Sequence, residues 1–276
     1  MQARGNRADP SRPVTSLWAG LQPVLLGRET ERRRLHSAIL SGDSLVIEGP
    51  TGIGKTALVS HVIRCLPERV ASRCLYIPGV KNLQDLLRQL TRALHEVEDT
   101  RLPRQLQTER ASSLSLDRWL KELPTSRLRG TVYRGVEGGN YRIFLDHLPP
   151  LTHGIAKVIK ELFWMRGTPV YLVPQAEGQL TISRFFPFFY WGDQERLMLG
   201  PLTRSAAKEL LEICIERFGL TRLDLIDFRK QVLDLSKHVP GAITKMCALA
   251  ARPKYQFRSG IKVKSAYIGY LLTGHE

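Results

Sequence analysis

Eight consecutive residues, Gly49-Pro50-Thr51-Gly52-Ile53-Gly54-Lys55-Thr56, stand in the spacing G-x-x-x-x-G-K-[ST]. Glycines at these positions let the backbone curl until several N–H groups converge on one point, an arrangement that holds a phosphate. Lys55 then reaches the outer phosphates of a nucleoside triphosphate, and the Thr56 hydroxyl takes a position on Mg²⁺. A second chemical group lies ninety residues on. Tyr141-Arg142-Ile143-Phe144-Leu145-Asp146 is an apolar run that ends in a carboxylate. A strand ending in Asp beyond such a loop is the Walker B arrangement, which holds Mg²⁺ through water. His147 follows directly. A neutral imidazole, with a reference pKa of about 6.5, either takes a proton from water there or stands by.

These groups need a sheet edge and a helix start to hold them. Ser44-Leu45-Val46-Ile47-Glu48 reads as a buried strand before the loop, and Ala57 to Ile63 as the first turns of a helix after it. The N-terminus of that helix adds partial positive charge to the same point. Arg73 to Pro78 gives a second strand. Leu83, Leu86, Leu87, Leu90, Ala93 and Leu94 then mark an amphipathic helix with Asn82 as its N-cap. Further spacing predicts helices over 29–40, 113–123, 151–166, 205–218 and 221–236, a turn over 135–140, and strands over 168–175 and 196–203. Leu162, Phe163 and Met165 are expected to face the sheet. The apolar Tyr267, Ile268, Tyr270, Leu271 and Leu272 close the chain as a further helix.

The chain has 276 residues, 43% of them hydrophobic, which suits one α/β domain with a smaller helical one. No apolar run has bilayer-spanning length, so a soluble, cytoplasmic protein is expected. Cys65, Cys74, Cys214 and Cys247 are scattered without a C-x-x-C pair, against a zinc site or a disulfide framework. Lys+Arg 41 against Asp+Glu 26 gives a net charge of +15. That charge points equally to a polyanionic partner, nucleic acid first, and to a generally basic surface. From Arg101 to Arg134 eight basic residues stand against three acidic ones, the best stretch for a polyanion. The run from Arg184 to Trp191 is dense in aromatic rings, which suits core packing first, a protomer interface second and base stacking third.

The segment Val24-Leu25-Leu26-Gly27-Arg28-Glu29, with Leu35 further on, lies just before the glycine loop. Its pattern, hydrophobic-Gly-Arg-x-x-Glu-x-x-x-Leu, resembles the start of AAA+ and STAND ATPase modules of the archaeal and origin-recognition type. The resemblance implies that Val24, Leu26, Gly27 and Arg28 line the nucleotide pocket with Gly49 to Ala57. His238-Val239-Pro240-Gly241-Ala242-Ile243 is similar to the lid motif G-x-P-x-A-[LI], which brings Pro240 near the adenine, although His238 stands where the motif has glycine. Gln175, at a strand end, falls where such modules carry a polar group toward the γ-phosphate or the attacking water. Lys245 falls where a second cationic sensor would be, and Arg184 and Arg196 are candidates for an arginine offered to a neighbouring subunit. His147 departs from the pattern, which has an acidic residue after the Walker B aspartate, and this sets binding apart from fast hydrolysis.

The expected fold is α/β: a three-layer P-loop NTPase core with a parallel sheet over residues 15–202, a small helical lid domain over 203–276, and a flexible basic arm over 1–14. The expected ligands are ATP, which the resemblance implies and the lack of an Asn-Lys-x-Asp motif agrees with, and Mg²⁺. The expected catalytic residues are Lys55, Asp146, His147 and Gln175, with Thr56 and Asp146 on the metal. The expected function is a slowly hydrolysing, ATP-dependent switch acting on nucleic acid. A nucleotide-dependent protein scaffold, as a homo-oligomer or with another protein, is the alternative. A small-molecule kinase comes third.

Overall fold

The computed structural model describes residues 25–97, 116–175, 196–257 and 260–273. Five strands, β1 (Leu45–Glu48), β2 (Cys74–Ile77), β3 (Arg142–Leu148), β4 (Val170–Pro174) and β5 (Arg196–Met198), form one sheet in the order β2-β3-β4-β1-β5. All neighbouring pairs are parallel. The sheet inserts β4 between β1, which leads into the glycine loop, and β3, which carries Asp146. The loop and Asp146 therefore converge across the end of a third strand, which Gln175 directly follows.

A parallel sheet is covered on both faces, so its strands read as continuous apolar runs rather than alternating ones. Alternate residues serve opposite layers. Val46, Leu75, Ile77, Ile143, Leu145 and Leu172 pack with α4 (Leu83–Glu96), α6 (Thr125–Val136) and α7 (His153–Trp164). Leu45, Ile47, Cys74, Tyr76, Phe144, Tyr171 and Leu197 pack with α1 (Glu29–Ser41) and α2 (Lys55–Cys65). In that second layer Phe144 and Tyr171 stack with ring centroids 4.4 Å apart. The Tyr171 hydroxyl and the Arg142 Nε donate to carbonyls of α1, Ala38 at 3.2 Å and Ile39 at 2.8 Å. Asn82 caps α4 as expected, its Oδ1 accepting from Asp85 N at 2.9 Å.

Between α2 and β2 lies a single-turn α3 (Glu68–Ala71), and before α6 a short α5 (Leu116–Glu122). The expected helix over 113–123 thus begins partly outside the described residues. Helix α6 was not expected at all. Its buried face, Leu128, Val132 and Val136, has helical spacing, but Gly130, Gly135 and three arginines dilute it. Arg129 and Tyr133 on the same helix both bond the Glu161 carboxylate of α7, so part of the basic stretch is a structural ion pair.

Beyond β5 the chain forms a helical bundle with its own apolar centre: α8 (Arg204–Arg217), α9 (Ile226–Ser236), α10 (Pro240–Ala250) and α11 (Val263–Thr273). Thr203 caps α8, its Oγ1 accepting from Ala206 N at 3.3 Å. A two-stranded hairpin, β6 (Gln256–Phe257) and β7 (Gly260–Ile261), joins the last two helices and was not foreseen. Among the described residues no helix is long and apolar enough to cross a membrane. The arm over 1–14, Val24 and the aromatic run over 184–191 lie outside the described residues.

Candidate functional site

The chain leaves β1 through Gly49, whose φ of +146° favours glycine. A Cβ there would lie 2.6 Å from the Leu199 carbonyl oxygen, so the close passage along β5 also demands its absence. Gly52 and Gly54 follow with φ of +78° and +99°. Ile53 between them is fully buried and pins the loop from below. Pro50 is half-buried, while Thr51 and Gly52 are exposed. Helix α2 starts at Lys55 without a side-chain cap, and Thr56 and Ala57 follow half-buried in its first turn. That leaves its first amides as donors for an anion.

Lys55 is 8% exposed. Its ammonium donates to the carbonyls of Gly49 at 2.6 Å, Pro50 at 3.2 Å and Gln175 at 3.3 Å. Thr51 Oγ1 donates to the same Gln175 carbonyl at 3.3 Å. Gln175 thus meets the loop through its main-chain carbonyl.

Asp146 is 1% exposed. Its Oδ2 accepts from the Tyr76 hydroxyl at 2.5 Å, and its Oδ1 from the His147 N–H at 2.7 Å, with the His147 Nδ1 at 3.2 Å. Burial pushes this carboxyl up, but the His147 ring, the Tyr76 hydroxyl and the Thr56 hydroxyl together hold it below its ordinary value. The carboxylate is therefore held in its ionised form, across the end of β4 from the head of α2. His147 is raised, chiefly by its bond to Asp146, against burial and the charge of Lys55. Its φ of +47° turns the chain just where the β3–β4 register breaks between Leu145 and Leu148. A buried acid of another kind ends β1. Glu48 has Arg196 3.7 Å from its Oε2, and its Oε1 is buried without a hydrogen bond.

The segment before α1 closes the loop from the other side. Arg28 is 5% exposed, pairs with Glu31 at 3.0 Å, and donates to the carbonyls of Ile53 at 3.2 Å and Gly200 at 2.5 Å. It buttresses the loop against the end of β5. Gly27 has φ +59°, and a Cβ there would lie 2.7 Å from Ala206 Cβ on α8. Leu26 packs against the helical bundle.

The bundle touches the loop directly. Gly241 N donates to the Gly52 carbonyl at 2.8 Å, one residue into α10 beyond Pro240. His238, in the place of the motif's glycine, holds φ +60°, the conformation glycine would adopt freely. Lys245 lies one turn further, half-buried. Tyr76 and Gly241 were absent from the expected site: Tyr76 belongs to no local motif, and Gly241 fills an unspecified position of the lid motif. Tyr76 could be found only by pairing it in register with Phe144, two residues before Asp146.

Residues 24–173, more than half of the chain, match the family model described as an AAA ATPase domain. Among solved structures, the Walker-type ATPase PABY2304 of Pyrococcus abyssi is similar at 15% identity and a TM-score of 0.58, covering 91% of this chain and 74% of that one. The ORC1 protein of Aeropyrum pernix, solved in complex with DNA, is similar at 20% identity and a TM-score of 0.62, covering 93% and 69%. The ORC2 protein of the same organism, in ADPNP–ADP complexes, has 15% identity and a TM-score of 0.51, covering 89% and 68%. At these identities the likeness carries the fold. No curated protein matches the sequence.

Proposed function

The chain belongs to the AAA ATPase domain family, and on that premise we propose that it is a slowly hydrolysing ATP-dependent switch whose output is contact with nucleic acid. The observation that carries the reading is the convergence of three elements on one loop. Lys55 and Thr56 lie on it, Asp146 meets Thr56 from β3, and Gly241 reaches Gly52 from the helical bundle at 2.8 Å. A triphosphate held by the first-turn amides would bear on core and bundle together, which is how a γ-phosphate favours one domain arrangement over another. The bundle over 203–276 then acts as a lid, with Pro240 at its nucleotide-facing helix start.

A hard cation suits the oxygen donors here: an ionised, buried carboxylate beside a threonine hydroxyl at the head of α2. Thr56 and Asp146 would hold Mg²⁺, which would supply positive charge against the outer phosphates when bound. His147 favours slow turnover. It stands in place of an acid, and its Nδ1 is engaged with Asp146 at 3.2 Å. A nucleic-acid partner is supported by the net charge of +15 and by likeness to a fold neighbour solved with DNA. The same engaged His147 also supports a second reading, a nucleotide-held protein scaffold that hydrolyses little.

Calorimetry with Mg·ATP and Mg·ADP tests the common premise, and binding of both is expected. Mobility shifts with DNA over a series of salt concentrations separate the readings. Binding that weakens steeply with salt is expected for the switch on nucleic acid. Silence at low salt, with nucleotide-dependent assembly by light scattering, would transfer the conclusion to the scaffold.

A further inference from the structure

Asp146 needs more than a position to hold a metal; it needs a fixed orientation. A carboxylate turns easily about its Cβ–Cγ bond, and outer-shell donors are what stop it. Here β2 supplies one. Tyr76 pairs in register with Phe144, so its side chain and that of Asp146 emerge on the same face of neighbouring strands. The ring is 8% exposed and lies in the layer of Phe144 and Tyr171, where a phenylalanine would pack as well. The hydroxyl adds a bond that packing does not require: it donates to Asp146 Oδ2 at 2.5 Å. His147 holds the other oxygen through its N–H at 2.7 Å. Gripped on both oxygens, the carboxylate is held in one orientation.

We propose that Tyr76 is a positioning residue for the divalent cation: its hydroxyl fixes the Asp146 carboxylate in the orientation that accepts Mg²⁺ with a nucleotide. This rests on reading residues 49–56 with Asp146 as an Mg·nucleotide site. Tyr76 touches neither nucleotide nor metal; it acts through Asp146.

The test compares ADP affinity with Mg²⁺ present and with EDTA, in the unmodified chain and in Tyr76→Phe. A merely structural tyrosine would weaken both affinities together. A positioning tyrosine weakens the Mg·ADP complex by about tenfold, as outer-shell variants do, and leaves metal-free ADP within about twofold. Combined with Asp146→Asn, Tyr76→Phe is expected to add little further loss of the metal effect, since the group it orients is gone. Melting temperatures without nucleotide show whether each variant is folded. An unchanged ratio of the two affinities in Tyr76→Phe, or full additivity in the double variant, would overturn the role of Tyr76 and leave the nucleotide site standing. An unmodified chain that binds no ADP under either condition would overturn the site and this role together.

Discussion

The core and the helical bundle hold the glycine loop in different ways. On the core side the work is done by side chains. Lys55, Arg28 and Thr51 each bond main-chain carbonyls around the loop, and Asp146 is held by Tyr76 and His147. On the bundle side the contact is peptide to peptide, Gly241 N–H on Gly52 C=O at 2.8 Å. A Cβ on Gly241 would lie 2.8 Å from Gly52 Cα and 2.9 Å from its oxygen. Side-chain contacts can be altered one atom at a time and tune affinity. A contact between two glycine backbones has no such latitude, and it moves only as a unit. On the proposed function, the core is the part that grips and the bundle the part that follows the loop's conformation.

Removing the grip is expected to have the largest effect. Lys55→Ala takes away the buried ammonium, and charge-assisted bonds are worth about 1.5–3 kcal/mol each. Mg·ATP affinity should fall on the order of 100-fold by calorimetry. The nucleotide-free protein should lose some stability as well, since the Gly49 carbonyl is buried and loses its partner, and melting temperatures without nucleotide measure that part separately. Unaltered affinity would mean that the grip lies elsewhere and that the contrast between core and bundle has no functional content.

Gly241→Ala addresses the other side. The atoms it meets are backbone, so the bundle must shift off Gly52, at a cost of about 1–3 kcal/mol of stability. The expected signature is a lower melting temperature and faster proteolysis of the segment joining α8 to β5, with nucleotide no longer slowing that cleavage. Gly200→Ala is the control. It lies on the same approach, yet an added Cβ meets nothing within 4 Å. Equal behaviour of the two variants would show that the peptide contact does not couple bundle and loop.

The same division explains what the sequence made legible. The loop from Gly49 to Thr56 is read directly, because its φ angles and its lysine follow from local spacing. Asp146 is nearly as plain, as an acid at the end of an apolar strand. The Asn82 cap and the face of α4 were also visible, since helical periodicity is local. What stayed hidden is everything set by pairing at a distance. The insertion of β4 between β1 and β3, the register that brings Tyr76 to Asp146, and the meeting of Gly241 with Gly52 have no local trace. His238 is the instructive middle case. The glycine of the lid motif is missing there, but the left-handed backbone it serves is kept, at φ +60°.

That retained backbone gives a smaller prediction. An L-residue in the left-handed region costs about 1–2 kcal/mol, and glycine gives back about 0.4–1 kcal/mol through the unfolded chain. His238→Gly should therefore stabilise the protein by between zero and about 1.6 kcal/mol in urea melts. It should leave Mg·ATP affinity within about twofold, because it frees a hinge of the bundle without touching the grip. A destabilised variant would mean that the imidazole, not the backbone, is what position 238 requires.

The smallest effect is expected where the bundle does use side chains. Arg229 holds Glu212 with two bonds, at 2.7 and 2.9 Å, but the pair is about half exposed. Its Arg229 bond, against a smaller opposing effect of burial, keeps the Glu212 carboxyl below its ordinary value. A depressed folded value means the pair stabilises above the unfolded carboxyl pKa of about 4.3, and that the gain fades as pH falls through the folded value. Glu212→Gln should thus cost no more than about 0.5 kcal/mol at neutral pH, less at high salt, and nothing near pH 2. Because the pair joins α8 to α9 within the bundle, the loss should be the same with and without nucleotide. A nucleotide-dependent cost would mean that the bundle deforms internally when the loop is filled, and that it does not follow Gly52 as a unit.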